Sequence, residues 1–103
     1  MKCFVGFDMH AVIIEIPDPV GEKIDKYKKK FLDWIYDPKA KHPYLKKFKD
    51  SRGKPFYGAC YNEEAFIEYL NKRVIKNKYP PAEIVEWNAD PDACPEGMVK
   101  IFF

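Results

Sequence analysis

At 103 residues the chain is long enough for one hydrophobic core and too short for two, so a single domain spanning 1–103 is expected. Hydrophobic residues at 47% and aromatics at 17% exclude a disordered tail, and the 33% of charged residues, summing to only +2, furnish a solvated exterior. The longest apolar run, Ala11-Val12-Ile13-Ile14, stops at Glu15, far short of the roughly 18 residues of a membrane span.

Met1-Lys2-Cys3-Phe4 passes straight into strand-like sequence, without the apolar region of a secretory signal. The three cysteines, Cys3, Cys60 and Cys94, form no C-x-x-C pair, which argues for reduced thiols and a cytoplasmic location. Together with His10 and His42 they show no zinc-ligand spacing, so no cofactor or metal is expected.

Residues 2–16 are rich in aromatic and β-branched side chains and read as extended, either as one long strand or as a hairpin bent near Asp8-Met9. Asp18-Pro19 resembles a helix start, with an acceptor at the N-cap and proline at the first helical position. Val20, Ile24, Tyr27, Phe31, Trp34 and Ile35 then follow helical spacing, predicting one continuous helix that ends near Asp37-Pro38. Tyr44–Lys49 suits a short strand better than a helix, because the turn residues Asp50-Ser51-Arg52-Gly53 connect it to the strand-like stretch Lys54–Tyr61. Asn62 is placed to cap a second helix, with Glu63 and Glu64 in its first turn and Lys72, Arg73 and Lys76 in its last. Tyr79-Pro80-Pro81 breaks the chain, and strands are predicted over 83–87 and 98–103 around an acidic loop, 88–97.

This order predicts an α+β, ferredoxin-like split βαβ sandwich (β-α-β-β-α-β) with an extra C-terminal strand, its two helices on one face of an antiparallel sheet. The final apolar strand is expected inside the sheet or in a homodimer interface. Such a fold hosts many functions and decides none of them.

Charge is the most informative feature left. Residues 23–54 hold twelve Lys/Arg against four Asp/Glu, whereas the rest of the chain holds six against twelve. Tyr27, Tyr44, Phe48, Phe56 and Tyr57 are interleaved with these lysines. Such a pattern suits phosphates and stacked bases, and it equally suits the solvated faces of a helix and a hairpin. The candidate basic contacts are Lys28, Lys29, Lys30, Lys46, Lys47, Lys49, Arg52 and Lys54. The acidic residues Asp90, Asp92 and Glu96 form a candidate docking loop for a basic partner.

Cys3-Phe4-Val5-Gly6-Phe7 resembles the first-strand motif of the RNA-recognition motif, and Lys54-Pro55-Phe56-Tyr57-Gly58-Ala59-Cys60-Tyr61 resembles its third-strand motif. The resemblance implies Phe4 and Phe56 as stacking rings and Lys54 as the basic lead residue. Pro55 stands where that motif has glycine, and Gly58 where it has a second aromatic.

Asp8-x-His10 at a strand end is the pair that metal-dependent phosphoesterases place there, but no later ligand motif follows. Phosphate loops, nucleophile elbows and Cys-His motifs are absent. Cys60, ahead of the capped helix, reads as a buried and inert thiol. The expected function is therefore non-enzymatic: an adaptor- or inhibitor-like protein acting on a protein partner. The alternatives are a nucleic-acid-binding module using the region 23–57 and, third, a small metal-assisted hydrolase using Asp8 and His10.

Overall fold

The computed structural model describes residues 1–103. Lys2–Gly6 (β1) and Ala11–Glu15 (β2) double back on each other as an antiparallel hairpin, pairing Cys3 with Ile14, Phe4 with Ile13 and Val5 with Val12. Both strands are apolar at almost every position, so both faces of the hairpin must be covered. The twofold alternation of a strand sends Cys3, Val5, Val12 and Ile14 into the main core, while Phe4, Ala11 and Ile13 form a smaller cluster on the opposite face.

The first helix is two. Asp18–Gly21 (α1) is a single turn with Pro17, not Asp18, at its N-cap, and Ile24–Ile35 (α2) starts anew after Glu22-Lys23. Glycine is a poor helix former, and Lys23 leaves helical geometry with φ −121° and ψ 27°. Leu45–Lys49 (β3) and Pro55–Ala59 (β4) form the expected second hairpin. Asn62 caps Glu63–Tyr69 (α3), its side-chain oxygen accepting from the Ala65 N–H at 3.2 Å. The helix then widens into a π-helical turn over Leu70–Ile75, closed by Lys76 N–H donating to the Asn71 carbonyl at 2.9 Å. Glu83–Ala89 (β5) and Val99–Phe102 (β6) complete the chain.

The four-stranded sheet runs β5-β2-β1-β6, with β6 parallel to β1 and the other neighbours antiparallel, so it is mixed rather than purely antiparallel. The α+β class holds, but the strands are dealt differently from a ferredoxin-like sandwich, which would seat the second hairpin in the main sheet. Here β3 and β4 pair only with each other. The physical reason lies in composition. Ala-Val-Ile-Ile in β2 is apolar on both faces and takes a central position, whereas Leu-Lys-Lys-Phe-Lys in β3 has too little apolar surface for one.

Phe31 of α2 sits fully buried at the centre of the core, its ring against Tyr61, Phe66, Tyr69 and Phe103 at centroid distances of 5.3, 5.3, 5.4 and 5.7 Å. Asn71 fastens the π-turn to the approach of β5: its side chain accepts from Ala82 N–H at 2.7 Å and donates to Ala82 C=O at 3.1 Å. The second face of the sheet is covered where Ala89, Cys94 and Met98 pack on Phe4, Ala11 and Ile13. No helix is long and apolar enough to cross a membrane.

Candidate functional site

Since β3 and β4 lie outside the main sheet, they stand off the body as an arm. The radius of gyration is 15.0 Å and the extents are 47 × 33 × 19 Å, against about 13 Å for a compact domain of this length. Not one residue from Leu45 to Ala59 is buried. A lone two-stranded hairpin is marginal in water, so its local chemistry has to be favourable. At the tip, the Asp50 carboxylate accepts from the N–H groups of Arg52 and Lys54 at 2.9 and 2.8 Å, and Gly53 takes the left-handed turn conformation at φ 77°. Along the ladder Phe48 faces Phe56, with rings stacked at 5.6 Å and 27°. The Phe48 ring also leans over Gly58, where a Cβ would come within 3.0 Å of it. Only glycine allows that ring to lie so close.

Alternation gives the arm two faces. One carries Lys46, Phe48, Phe56 and Lys54, and the other carries Lys47, Lys49 and Tyr57. Phe48, Phe56 and Tyr57 are 39%, 49% and 56% exposed although Phe48 and Phe56 stack on each other, because nothing outside the arm covers them. Lys46, Lys47, Lys49, Arg52 and Lys54 form no ion pair, and Asp50, the arm's own carboxylate, is spent on the turn. The free strand edges carry lysines and Pro55, residues that discourage strand addition by another chain.

At the root of the arm, where Cys60 N–H donates to the Tyr44 carbonyl at 2.8 Å, lies a cavity of about 230 Å³. Its aromatic walls are Trp34, His42, Tyr44 and Tyr69, with Lys41, Lys72 and Arg73 around them. His42 is held at both ring nitrogens: Nε2–H donates to the Trp34 carbonyl and Nδ1 accepts from Tyr44 N–H, each at 3.2 Å, which defines the neutral Nε2–H tautomer. Its ring lies 4.3 Å from that of Trp34. Glu68 braces the opposite wall, accepting from Tyr44 Oη–H at 2.8 Å and from Lys72 Nζ at 2.7 Å. The Lys72 ammonium and the Tyr44 hydroxyl hold the Glu68 carboxyl below its usual range, and the same Glu68 contact pushes the Tyr44 hydroxyl up. The Arg73 guanidinium lies 5.0 Å over the Trp34 ring.

The structure redistributes the other candidates. Lys29 and Lys30 are exposed on α2, but Lys28 is committed within the fold, donating to the Phe102 carbonyl and lying 5.4 Å over the Phe103 ring. Phe4 is fully buried and offers no face for stacking. Strands β1 and β4 belong to different sheets, so Phe4 and Phe56 do not share the surface that the resemblance to the RNA-recognition motif implies. Asp90, Asp92 and Glu96 are exposed on the 90–98 loop, whose Cys94 and Met98 cover the sheet. The Asp90 carboxylate takes part in a local turn, accepting from Asp92 N–H at 2.9 Å.

At Asp8-x-His10, the His10 Nε2 is 2.8 Å from the Glu63 carboxylate, and the His10 ring stacks on Phe7 at 4.9 Å. Nowhere do three or more His, Cys, Asp or Glu side chains converge as a ligand set. Cys60 is exposed, contrary to the buried thiol expected, because the arm's root leaves the main sheet there.

Sequence reasoning missed the root pocket. Trp34 reads as one more apolar position of a helix, and only the ring-bearing run His42-Pro43-Tyr44 immediately before the arm hints at a wall there. No protein-family model, curated protein or solved structure matches the chain.

Proposed function

We propose that this protein is a nucleic-acid-binding module whose contact element is the β3–β4 arm. The observation that supports it is a projecting two-stranded ribbon with five cations free of carboxylates and three exposed rings. A ribbon of this kind fits a groove or follows a phosphate backbone, and exposed rings beside cations suit bases. An acidic protein surface would use the charges but has less use for stacked phenyl faces.

The test is fluorescence anisotropy with mixed-sequence single-stranded and duplex oligonucleotides at 50 and 200 mM salt. If all five arm cations release counterions, log K falls with log salt at a slope of about −3.5 for single strands and −4.5 for duplex, or about 100- to 500-fold over that range. No binding at the lower salt would overturn the reading and turn attention to an acidic protein partner.

A protein partner, as an adaptor- or inhibitor-like activity requires, is supported by other exposed side chains, at the two opposite edges of the main sheet. Val85 and Trp87 on β5, and Val99 and Phe102 on β6, are exposed on the two edge strands of the main sheet. Surface of this kind suits a second protein or a second copy of the chain. Trp87→Arg should abolish an association of that kind, read as sedimentation mass, while leaving oligonucleotide binding intact.

A further inference from the structure

We propose that the pocket at the root of the arm is a subsite for one unpaired nucleobase and its adjoining phosphate, making the protein selective for single strands. The inference rests on the nucleic-acid reading above and adds a ligand class and a site to it.

Size favours one base. Pockets for drug-sized ligands run to roughly 300–1,000 Å³, whereas about 230 Å³ admits a single flat ring system. The walls are flat as well: Trp34, His42, Tyr44 and Tyr69 supply ring surfaces, which hold a base by stacking whatever its identity. The charges divide by task. Lys72 is neutralised by Glu68, which in turn is held by Tyr44, so the carboxylate nearest the pocket is already satisfied on both oxygens. Lys41 and Arg73 have no carboxylate partner and are left for a phosphate. Lys76 stands beside Lys72 and Arg73 on the same surface.

Trp34 provides an independent observation. Its indole N–H is the one buried side-chain nitrogen or oxygen without a hydrogen-bond partner in the protein. Buried donors of this kind are rare and call for an explanation. Arg73 currently covers the indole face. When the guanidinium turns to a phosphate, that face opens to a base, and the in-plane N–H remains as an unpartnered donor for an acceptor of the same nucleotide. Duplex DNA or RNA cannot deliver a base this way without unpairing it. Pocket and arm share Tyr44 at their junction, so one strand can lie along the lysines of β3 and turn a base in at the root.

The experiment uses the full chain carrying Trp87→Phe, which leaves Trp34 as the sole tryptophan. Its emission is followed on adding a mixed-sequence single strand, the matched duplex, and inorganic polyphosphate. The expected result is quenching by the single strand alone. Tested separately and checked by circular dichroism, His42→Ala should weaken single-strand binding about 5- to 150-fold, the range for losing one stacked base. Arg73→Gln should weaken it with a salt slope shallower by about 0.7 for the lost phosphate contact, and both should leave duplex binding unchanged. If single strand and duplex bind alike without changing Trp34 emission, the subsite is overturned and the arm reading stands. Equal quenching by polyphosphate would show a plain anion site and also overturn it. Absence of binding to either nucleic acid would remove both readings together.

Discussion

Excising the arm separates its contribution to the fold from its contribution to binding. Leu45 and Ala59 are directly paired, so Lys46–Gly58 can be replaced by Asn-Gly, whose type I′ turn closes a two-residue hairpin loop. The thirteen residues removed include no buried side chain, so no core contact is lost. Shortening the connection from thirteen residues to two lowers the closure entropy by about 1–2 kcal/mol. At about 4–8 °C per kcal/mol for a domain of this size, the melting temperature should hold or rise by up to about 16 °C, measured by calorimetry. The same excision removes five cations and one carboxylate, taking the net charge from +2 to −2. Oligonucleotide affinity should fall steeply, and its single-strand salt slope should shrink to about −1.4, the share of Lys41 and Arg73 at the root pocket. A charge-matched control, with Lys26, Lys39, Lys78 and Lys100 all changed to Gln and the arm intact, should keep most of the slope. A fall in melting temperature beyond about 5 °C would refute the claim that the arm stands apart from the core. A slope unchanged by excision would refute its role in binding.

Phe31→Ala should cost about 3–5 kcal/mol in urea denaturation, because the ring is fully buried among Tyr61, Phe66, Tyr69 and Phe103; that is much of a typical total stability of about 5–15 kcal/mol, and a loss below 2 kcal/mol would contradict the packing described. With an aromatic disulfide reagent at neutral pH, Cys60 should react fast, Cys94 more slowly and Cys3 only on unfolding, since burial pushes the Cys3 thiol up to about 11; rapid labelling of Cys3 would contradict its burial. Tyr44→Phe should lower stability by less than about 1 kcal/mol, because Glu68 is half-exposed. A lowered carboxyl stabilises above its unfolded value of 4.5 and stops as pH falls through the folded one, and a raised phenol stabilises below 10.0 and stops as pH rises through its folded value. The difference between Tyr44→Phe and parent should thus be constant from about pH 5 to 9 and shrink outside it; a difference that does not change with pH would show that the Tyr44–Glu68 bond does not form.

What could be read in the sequence was local. The strand-like stretch Lys54–Tyr61, the turn residues Asp50-Ser51-Arg52-Gly53 and the Asn62 cap each act within a few residues, and a strand over Pro55–Ala59, a turn and a helix start formed within the segments these signals marked. The lysine-rich chemistry of the arm was visible for the same reason, because exposure follows directly from residue type. Pairing between elements lay beyond such signals. That β2 sits between β1 and β5, and that β3 and β4 are left out, was decided by competition for burial among all the strands, in which Ala-Val-Ile-Ile outbids Leu-Lys-Lys-Phe-Lys. That competition also buried Phe4 from the second side and turned Lys28 onto the end of β6. The root pocket is wholly tertiary. Trp34, His42, Tyr69 and Arg73 come from α2, the loop before β3, α3 and the π-turn, and only the packing of α2 against α3 brings their rings and charges around one cavity.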